Sequence, residues 1–412
     1  MNLTEFFESI EVGLPKNGFE ENKEPFDEYL SGIFKEYFAC VSGIDDADSP
    51  SICSGVNNSI DKIEKLYKQI VLAVKQHLDG FPNDSYVTFV KALSAIDAEL
   101  NRLITDLSQF DPSINQTGYS DIDLRCTLHP PLYRMRSDRA VASTGSLSRR
   151  DIFHIPFEKR RLVSNQRYSV TGLPCLYLGS SIWICWDELG HPDLNNVFVS
   201  RFRFAEKVRV LDFQLPPRAM WELFKYVQSQ SKLNLLTPSE KRSVPEVLCR
   251  YNEQVITAYI VCWPLIAACS IRVDSEAGPF FPEYIIPQLL LQWVTKDPEV
   301  DGIRYFSTRS LLQDYYINAN CVFPAREIQP KGYCSHLKKK FHLTTPISWE
   351  ILQMLNLPNR FQSGPSNWKA KVKLNNDLPS LYSVTGFYLA EGMLGEIEGN
   401  GITPSWSGPV ED

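Results

Sequence analysis

Residues 167–189, RYSVTGLPCLYLGSSIWICWDEL, carry the pattern on which the fold assignment turns. Two extended runs flank Thr171-Gly172, a pair suited to a tight turn, so a hairpin is expected over 167–179. In 181–189, Ile182, Cys185, Trp186 and Leu189 form one helical stripe, and Trp183 and Ile184 make the segment apolar almost all round. A helix of that composition is buried, and Ser180 or Ser181 suits its N-cap. The helix closes on adjacent acids, Asp187 and Glu188, at the end where the helix dipole disfavours an anion. Glu188 therefore needs a compensating cation or a chemical task, and spacing alone leaves both open. Asp187 reads as an acid on the helix surface.

Working outward, the N-terminal texture is helical. Ile60, Ile63, Tyr67, Ile70 and Val74 recur at three- and four-residue steps, and so do Leu93, Ile96, Leu100, Leu103 and Leu107, which predicts two amphipathic helices within 56–109. DGFPNDS (79–85) supplies the stop and restart between them. A less regular helix is expected over 26–38, and SGIDDADSPSICSGVNNS after it reads as a polar loop. Beyond Gln109 short extended runs and turn residues take over. Pro130-Pro131 lead into an extended LYRMR, and in VFVSRFRF (197–204) Phe198, Ser200, Phe202 and Phe204 share one face opposite Arg201 and Arg203. Helical pieces are expected at 218–230, 282–294 and 307–318, and GNGITPSWSGPVED at the end reads as a loose tail. The expected organisation is a helical region over 1–110, an α+β domain with a mixed sheet over 120–345, and an extension over 346–412.

The 412 residues carry a formal charge of −7, which offers phosphate backbones and anionic lipids no global attraction, so nucleic acid is not an expected partner. No run approaches the roughly 18 uninterrupted apolar residues of a membrane span. The longest, VITAYIVCWPLIAAC (255–269), is interrupted by Pro264 and reads as core. Acids stand near the N-terminus where a secretory signal is basic. With ten cysteines forming no C-x-x-C pair and six scattered histidines, the chain reads as cytoplasmic, with reduced thiols and no metal.

Arg167, the Thr171-Gly172 turn, the strand Leu176-Tyr177-Leu178-Gly179 and Glu188 on the next helix follow one another in order. Upstream stands Leu132-Tyr133-Arg134; downstream come Pro287-Gln288, Leu290 and Trp293 on a helix, then DGIRYFS from Asp301 to Ser307. This ordered set, spanning residues 125 to 312, resembles the RES domain, a family named for its arginine, glutamate and serine. Two departures are Tyr168, where the family commonly has Trp or Phe after the arginine, and the length of the chain, since toxins of this family are much shorter.

The resemblance implies an ADP-ribosyltransferase-like fold and an NAD-degrading enzyme, a glycohydrolase or phosphorylase, acting as a bacterial toxin paired with an antitoxin. NAD is then substrate, and no metal is required. Loss of nicotinamide leaves positive charge on the ribose, which a fixed carboxylate stabilises; Glu188 has that part. Arg167 offers donors for the pyrophosphate, Tyr177 a ring for the nicotinamide, and Ser307 a hydroxyl for ribose or phosphate. Arg134, Tyr133 and Tyr168 are further NAD-binding candidates. Each has a plainer reading beside it: Tyr177 as core, Ser307 as a helix cap, Arg134 as an ion-pair partner. Transfer of ADP-ribose to a protein or nucleic acid is the alternative activity, weakened by Trp186 standing two residues before Glu188 in place of Glu or Gln. A non-catalytic NAD-binding module is the third. GEIEG (395–399) with STR (307–309) loosely imitates the serine and E-x-E elements of protein-modifying transferases, but its flanking glycines favour a turn. For the N-terminal helices, three roles stay open: shielding the cleft, forming a homo-oligomer, or receiving a trigger or regulatory partner.

Overall fold

The computed structural model describes residues 1–20, 23–108, 131–137, 147–236, 250–273, 278–309, 318–355 and 385–399. Within them the strands β1 (Ile104–Asp106), β2 (Leu132–Ser137), β3 (Cys175–Gly179), β4 (Val197–Phe204), β5 (Arg209–Phe213), β6 (Gly302–Phe306), β7 (Ala319–Pro324), β8 (Phe341–Leu343) and β9 (Ile347–Ser348) make one mixed sheet. Its order is β1-β5-β6-β7-β3-β2-β4-β8, with β9 also on β4. Only β5 and β6 run parallel; the other pairs are antiparallel. Helices plus a mixed sheet match the α+β expectation.

The apolar run around Pro264 is the central helix Glu253–Ala268, and from Ala258 to Ala268 every residue is buried. Pro264 has no N–H to offer the carbonyl of Ile260 four residues earlier. The Tyr37 hydroxyl, from the helix Phe26–Ser42, donates to that carbonyl at 2.6 Å, and the Tyr37 ring stacks on Trp263 with centroids 3.9 Å apart. One side chain thus repairs the proline defect and ties the N-terminal helices to the centre. The same apolar core continues into Leu211, Ile303 and Val322 of the sheet, so residues 1–108 share their core with the strands that carry the site.

Several expectations change in detail. The predicted second helix of the 56–109 pair stops at Ser94, resumes over Asp97–Arg102, and gives way to β1. The exposed edge of β5 competes for this segment: Ile104 pairs with Leu211, and the Leu107 N–H donates to Val208 O at 2.8 Å. The loop expected after residue 42 contains the helix Pro50–Asn57, whose Ile52, Cys53 and Val56 are buried. Residues 167–170 form no strand. Gln166 and Ser169 exchange backbone hydrogen bonds (3.0 and 3.2 Å), a local closure that takes the groups a ladder would need. The turn at 171–172 is present, with Gly172 at φ 83°. The GEIEG glutamates lie in the helix Gly386–Gly399 rather than in a turn. Residues 307–309 are not helical, and 310–317 of the helix expected there, the DPSINQTGYSDID stretch and most of the C-terminal tail lie outside the described residues.

Candidate functional site

β2 pairs with β4 along its whole length and β3 with β7 along its own, but β2 meets β3 only at Tyr133–Gly179. Beyond that point the two strands part, and a cavity of about 570 Å³ opens beside the gap, lined by Arg134 and Met135 from β2 and Tyr177 and Leu178 from β3. Glu188 reaches this cavity because the helix Ile182–Glu188 packs directly on the end of β3. A Cβ at Gly179 would stand 2.5 Å from Ile184 Cγ2 and 2.8 Å from Cys185 Sγ, so only glycine permits that approach. Ser181 caps the helix, its hydroxyl accepting from the Ile184 N–H at 3.0 Å. At its start the Ile182 N–H donates to Glu391 Oε1 at 2.6 Å, a carboxylate on the favourable end of the dipole.

The awkward acid has partners. Glu188 Oε1 accepts from Ser307 Oγ at 2.8 Å and from Asn320 Nδ2 at 2.7 Å, and Oε2 lies 3.7 Å from Arg309 Nε. Ser307 directly follows β6 and Asn320 sits on β7, where it pairs with Tyr305 and Gly179. The end of β6 and the adjacent β7 therefore fix one carboxylate oxygen, while the other lies toward Arg309, with a third of the side chain exposed.

Arg167 lines the cavity, and both of its terminal nitrogens bond within the chain. Nη1 donates to Ile271 O at 2.9 Å and Cys269 O at 3.4 Å, Nη2 donates to Thr308 Oγ1 at 2.8 Å, and the guanidinium lies 5.2 Å from the centre of the Tyr284 ring. Tyr177 also lines the cavity; its hydroxyl donates to Ser169 Oγ at 3.1 Å, and burial pushes its pKa well above the ordinary value, so it is a neutral ring with a held hydroxyl. Arg134 Nη1 donates to Tyr177 O at 3.0 Å, satisfying a carbonyl that the parted β2 leaves without a ladder partner; burial lowers its pKa to about 10. Glu188, Arg167, Tyr177, Arg134 and, through its bond to Glu188, Ser307 thus converge on one place. Tyr133 and Tyr168 do not: each is 1% exposed, Tyr133 in the core with Ile182 and Trp349, Tyr168 with its ring 4.5 Å from that of Tyr305. Both are packed within the hydrophobic core and neither lines the cavity.

Sequence reasoning missed Asn320, Thr308, Arg309, Tyr284 and Arg272, which also line the cavity. Thr308 and Arg309 stand in the STR stretch without having been given a role there, and the others sit at no assigned motif position; the register of β7 against β3 and β6 brings Asn320 in, and no spacing along the chain signals it. Gln288, noted within a motif, bonds Asn165 Oδ1 at 2.7 Å and Gln166 O at 3.0 Å, holding the segment before Arg167 against the helix Ile285–Lys296. Asp301 of the DGIRYFS stretch is likewise a strut: it accepts from the Arg209 N–H at 2.9 Å and from His336 Nε2 at 2.8 Å.

Among the described residues the charge lining the cavity is lopsided, with Arg134, Arg167, Arg272 and Arg309 beside the carboxylate of Glu188. Such a cavity attracts a polyanion while keeping one fixed negative group for a centre that turns positive. Among the described residues no group of three His, Cys, Asp or Glu is placed to hold a metal ion, and no helix is long and apolar enough to cross a membrane.

Comparison with known proteins finds a Bacillus subtilis (strain 168) protein described as "Putative toxin YopC", 31% identical over 357 residues, which are 85% of this chain and 71% of that protein. No family model matches the chain. No solved structure matches it either.

Proposed function

This chain belongs to the family of the Bacillus subtilis protein described as "Putative toxin YopC", and from that premise we propose that it is a toxin that depletes NAD by cleaving the nicotinamide–ribose bond. The observation that carries the reading is the Glu188 carboxylate, gripped at one oxygen by Ser307 and Asn320 and set in a cavity whose lining includes four arginines. In the reaction the C–N bond breaks and nicotinamide leaves as a neutral molecule with the bonding electrons. Positive charge gathers on the ribose opposite Glu188. Water or inorganic phosphate then bonds to the ribose carbon; water gives ADP-ribose and releases a proton, phosphate gives the 1-phosphate ester. The positive lining of the cavity attracts the pyrophosphate, and the Tyr177 ring offers a face to the nicotinamide. The ADP-ribosyltransferase-like RES fold belongs to this same reading, as does a cognate antitoxin.

Transfer to a macromolecule is the second reading. Against it stands Trp186, the position from which an acceptor-activating side chain would act: its indole donates to Pro192 O at 2.9 Å and packs on Phe387, within an aromatic cluster. The test is incubation of the purified chain with NAD. Free nicotinamide, lost in Glu188→Gln, supports cleavage. Label from adenine-labelled NAD appearing on protein or nucleic acid supports transfer, and NAD recovered intact from a folded protein refutes both.

A further inference from the structure

Resting on the NAD-cleaving reading, we propose that the arginine that grips the substrate's pyrophosphate is Arg272, and that Arg167 is a positioning residue that sets Arg272 in place. Of the four arginines that line the cavity among the described residues, three already have work within the chain. Arg134 satisfies Tyr177 O, Arg309 pairs with Glu188, and Arg167 spends both terminal nitrogens on Ile271 O, Cys269 O and Thr308 Oγ1. Arg272 differs. It lines the cavity half-buried, its Nε is shut away from solvent, and that nitrogen has no hydrogen-bond partner among the described residues. A guanidinium with a donor left open is less engaged within the chain than its neighbours, and the planar fork of its terminal nitrogens suits adjacent phosphate oxygens.

The backbone around Arg272 is held from both sides. Arg167 binds the carbonyls of Cys269 and Ile271, and the Arg272 N–H donates to Lys16 O at 3.2 Å, next to the parallel bridge between Lys16 and Ile271. The N-terminal segment therefore forms part of the support for this cavity wall. A side chain whose main chain is clamped on both edges is pre-organised for its ligand, which lowers the ordering cost of binding.

The experiment measures ADP-ribose binding by calorimetry and NAD turnover on the full chain. Arg272→Gln is expected to weaken ADP-ribose and raise KM for NAD by about tenfold or more, with kcat within about threefold and an unchanged melting temperature. Arg272→Lys, which keeps the charge without the fork, should bind with intermediate affinity. Nicotinamide riboside, which has no pyrophosphate, should be consumed equally by wild type and Arg272→Gln. Arg167→Gln should lose both affinity and thermal stability, and the double variant should bind no worse than Arg272→Gln, because Arg167 acts through Arg272. Additive losses, or an Arg272→Gln protein that binds ADP-ribose like wild type, overturn the assignment, as does a wild type that does not bind ADP-ribose. A wild type that binds it but releases no nicotinamide from NAD refutes the reaction and leaves the arginine assignment standing.

Discussion

Ser307→Ala removes one of the two donors to Glu188 Oε1, leaving Asn320 Nδ2 at 2.7 Å. A hydrogen bond to an ionised group contributes about 1.5–3 kcal/mol. If that bond is fully expressed in the transition state, its loss slows cleavage by about 10- to 150-fold, at about 1.4 kcal/mol per factor of ten. A third of the Glu188 side chain is exposed, so water can replace part of a lost donor, and the expectation for either Ser307→Ala or Asn320→Ala is about a tenfold fall in kcat at the lower end of that range. With both donors gone, the ion pair with Arg309 at 3.7 Å draws the carboxylate toward solvent. The double variant should therefore lose more than the product of the single effects. Steady-state nicotinamide release across wild type, the two single variants, the double variant and Glu188→Gln gives the full cycle. An intact kcat in Ser307→Ala, alongside a large loss in Glu188→Gln, would show that the held oxygen is not the one that matters and would sink the argument.

Glu391→Ala removes the carboxylate at the start of the helix that ends in Glu188; a fall of about 1–2 kcal/mol in stability and a several-fold fall in kcat are expected, with Glu391→Gln, whose Oε1 still accepts from Ile182, recovering most of both. Denaturant titration and nicotinamide release check this, and a silent Glu391→Ala would exclude the contact as a support. Gly302→Ala should destabilise the fold by about 1–3 kcal/mol or more, because the new Cβ would stand 2.4 Å from Val322 O and 2.6 Å from Phe323 Cδ1; an unchanged melting temperature would contradict the β6–β7 packing. For Asp301, burial alone would raise the carboxyl, but the His336 hydrogen bond, the Arg209 N–H and the nearby Lys340 hold it below the ordinary value. A carboxyl whose folded pKa is depressed contributes stability above its unfolded value of about 3.9, lost as pH falls through the folded pKa. The stability gap between wild type and Asp301→Asn should thus shrink as pH falls below about 4; a gap that grows as pH falls from about 4 would reverse the sign.

Local pattern was enough for the helix Ile182–Glu188, its serine cap, the turn at Gly172, the strand Val197–Phe204 and the buried run around Pro264. Each is dictated within about a dozen residues by periodicity, capping or turn chemistry. Pattern failed where a distant strand edge competed. The Leu100, Leu103, Leu107 spacing fits a helix, yet the open edge of β5 claims 104–106 as β1. It failed as well at 167–170, where two residues close on each other instead of pairing.

The candidate site divides along the same line. Glu188 is conspicuous from sequence alone, because a charge at the wrong end of a greasy helix must be compensated. Arg167, Tyr177, Arg134 and Ser307 came in through motif resemblance, and Tyr133 and Tyr168 came in the same way although their side chains face the core. What each group does depends on which atoms fold against it. Sequence by itself determined that the molecule mixes helices with a sheet and that Glu188 needed an answer, since both follow from contacts within a turn or two. Only tertiary structure decided that the answer is Ser307 and Asn320, that Arg167 is occupied, and that Arg272 is open. Those facts are set by strand register and by hydrogen bonds between residues more than 100 positions apart, and no local pattern encodes them.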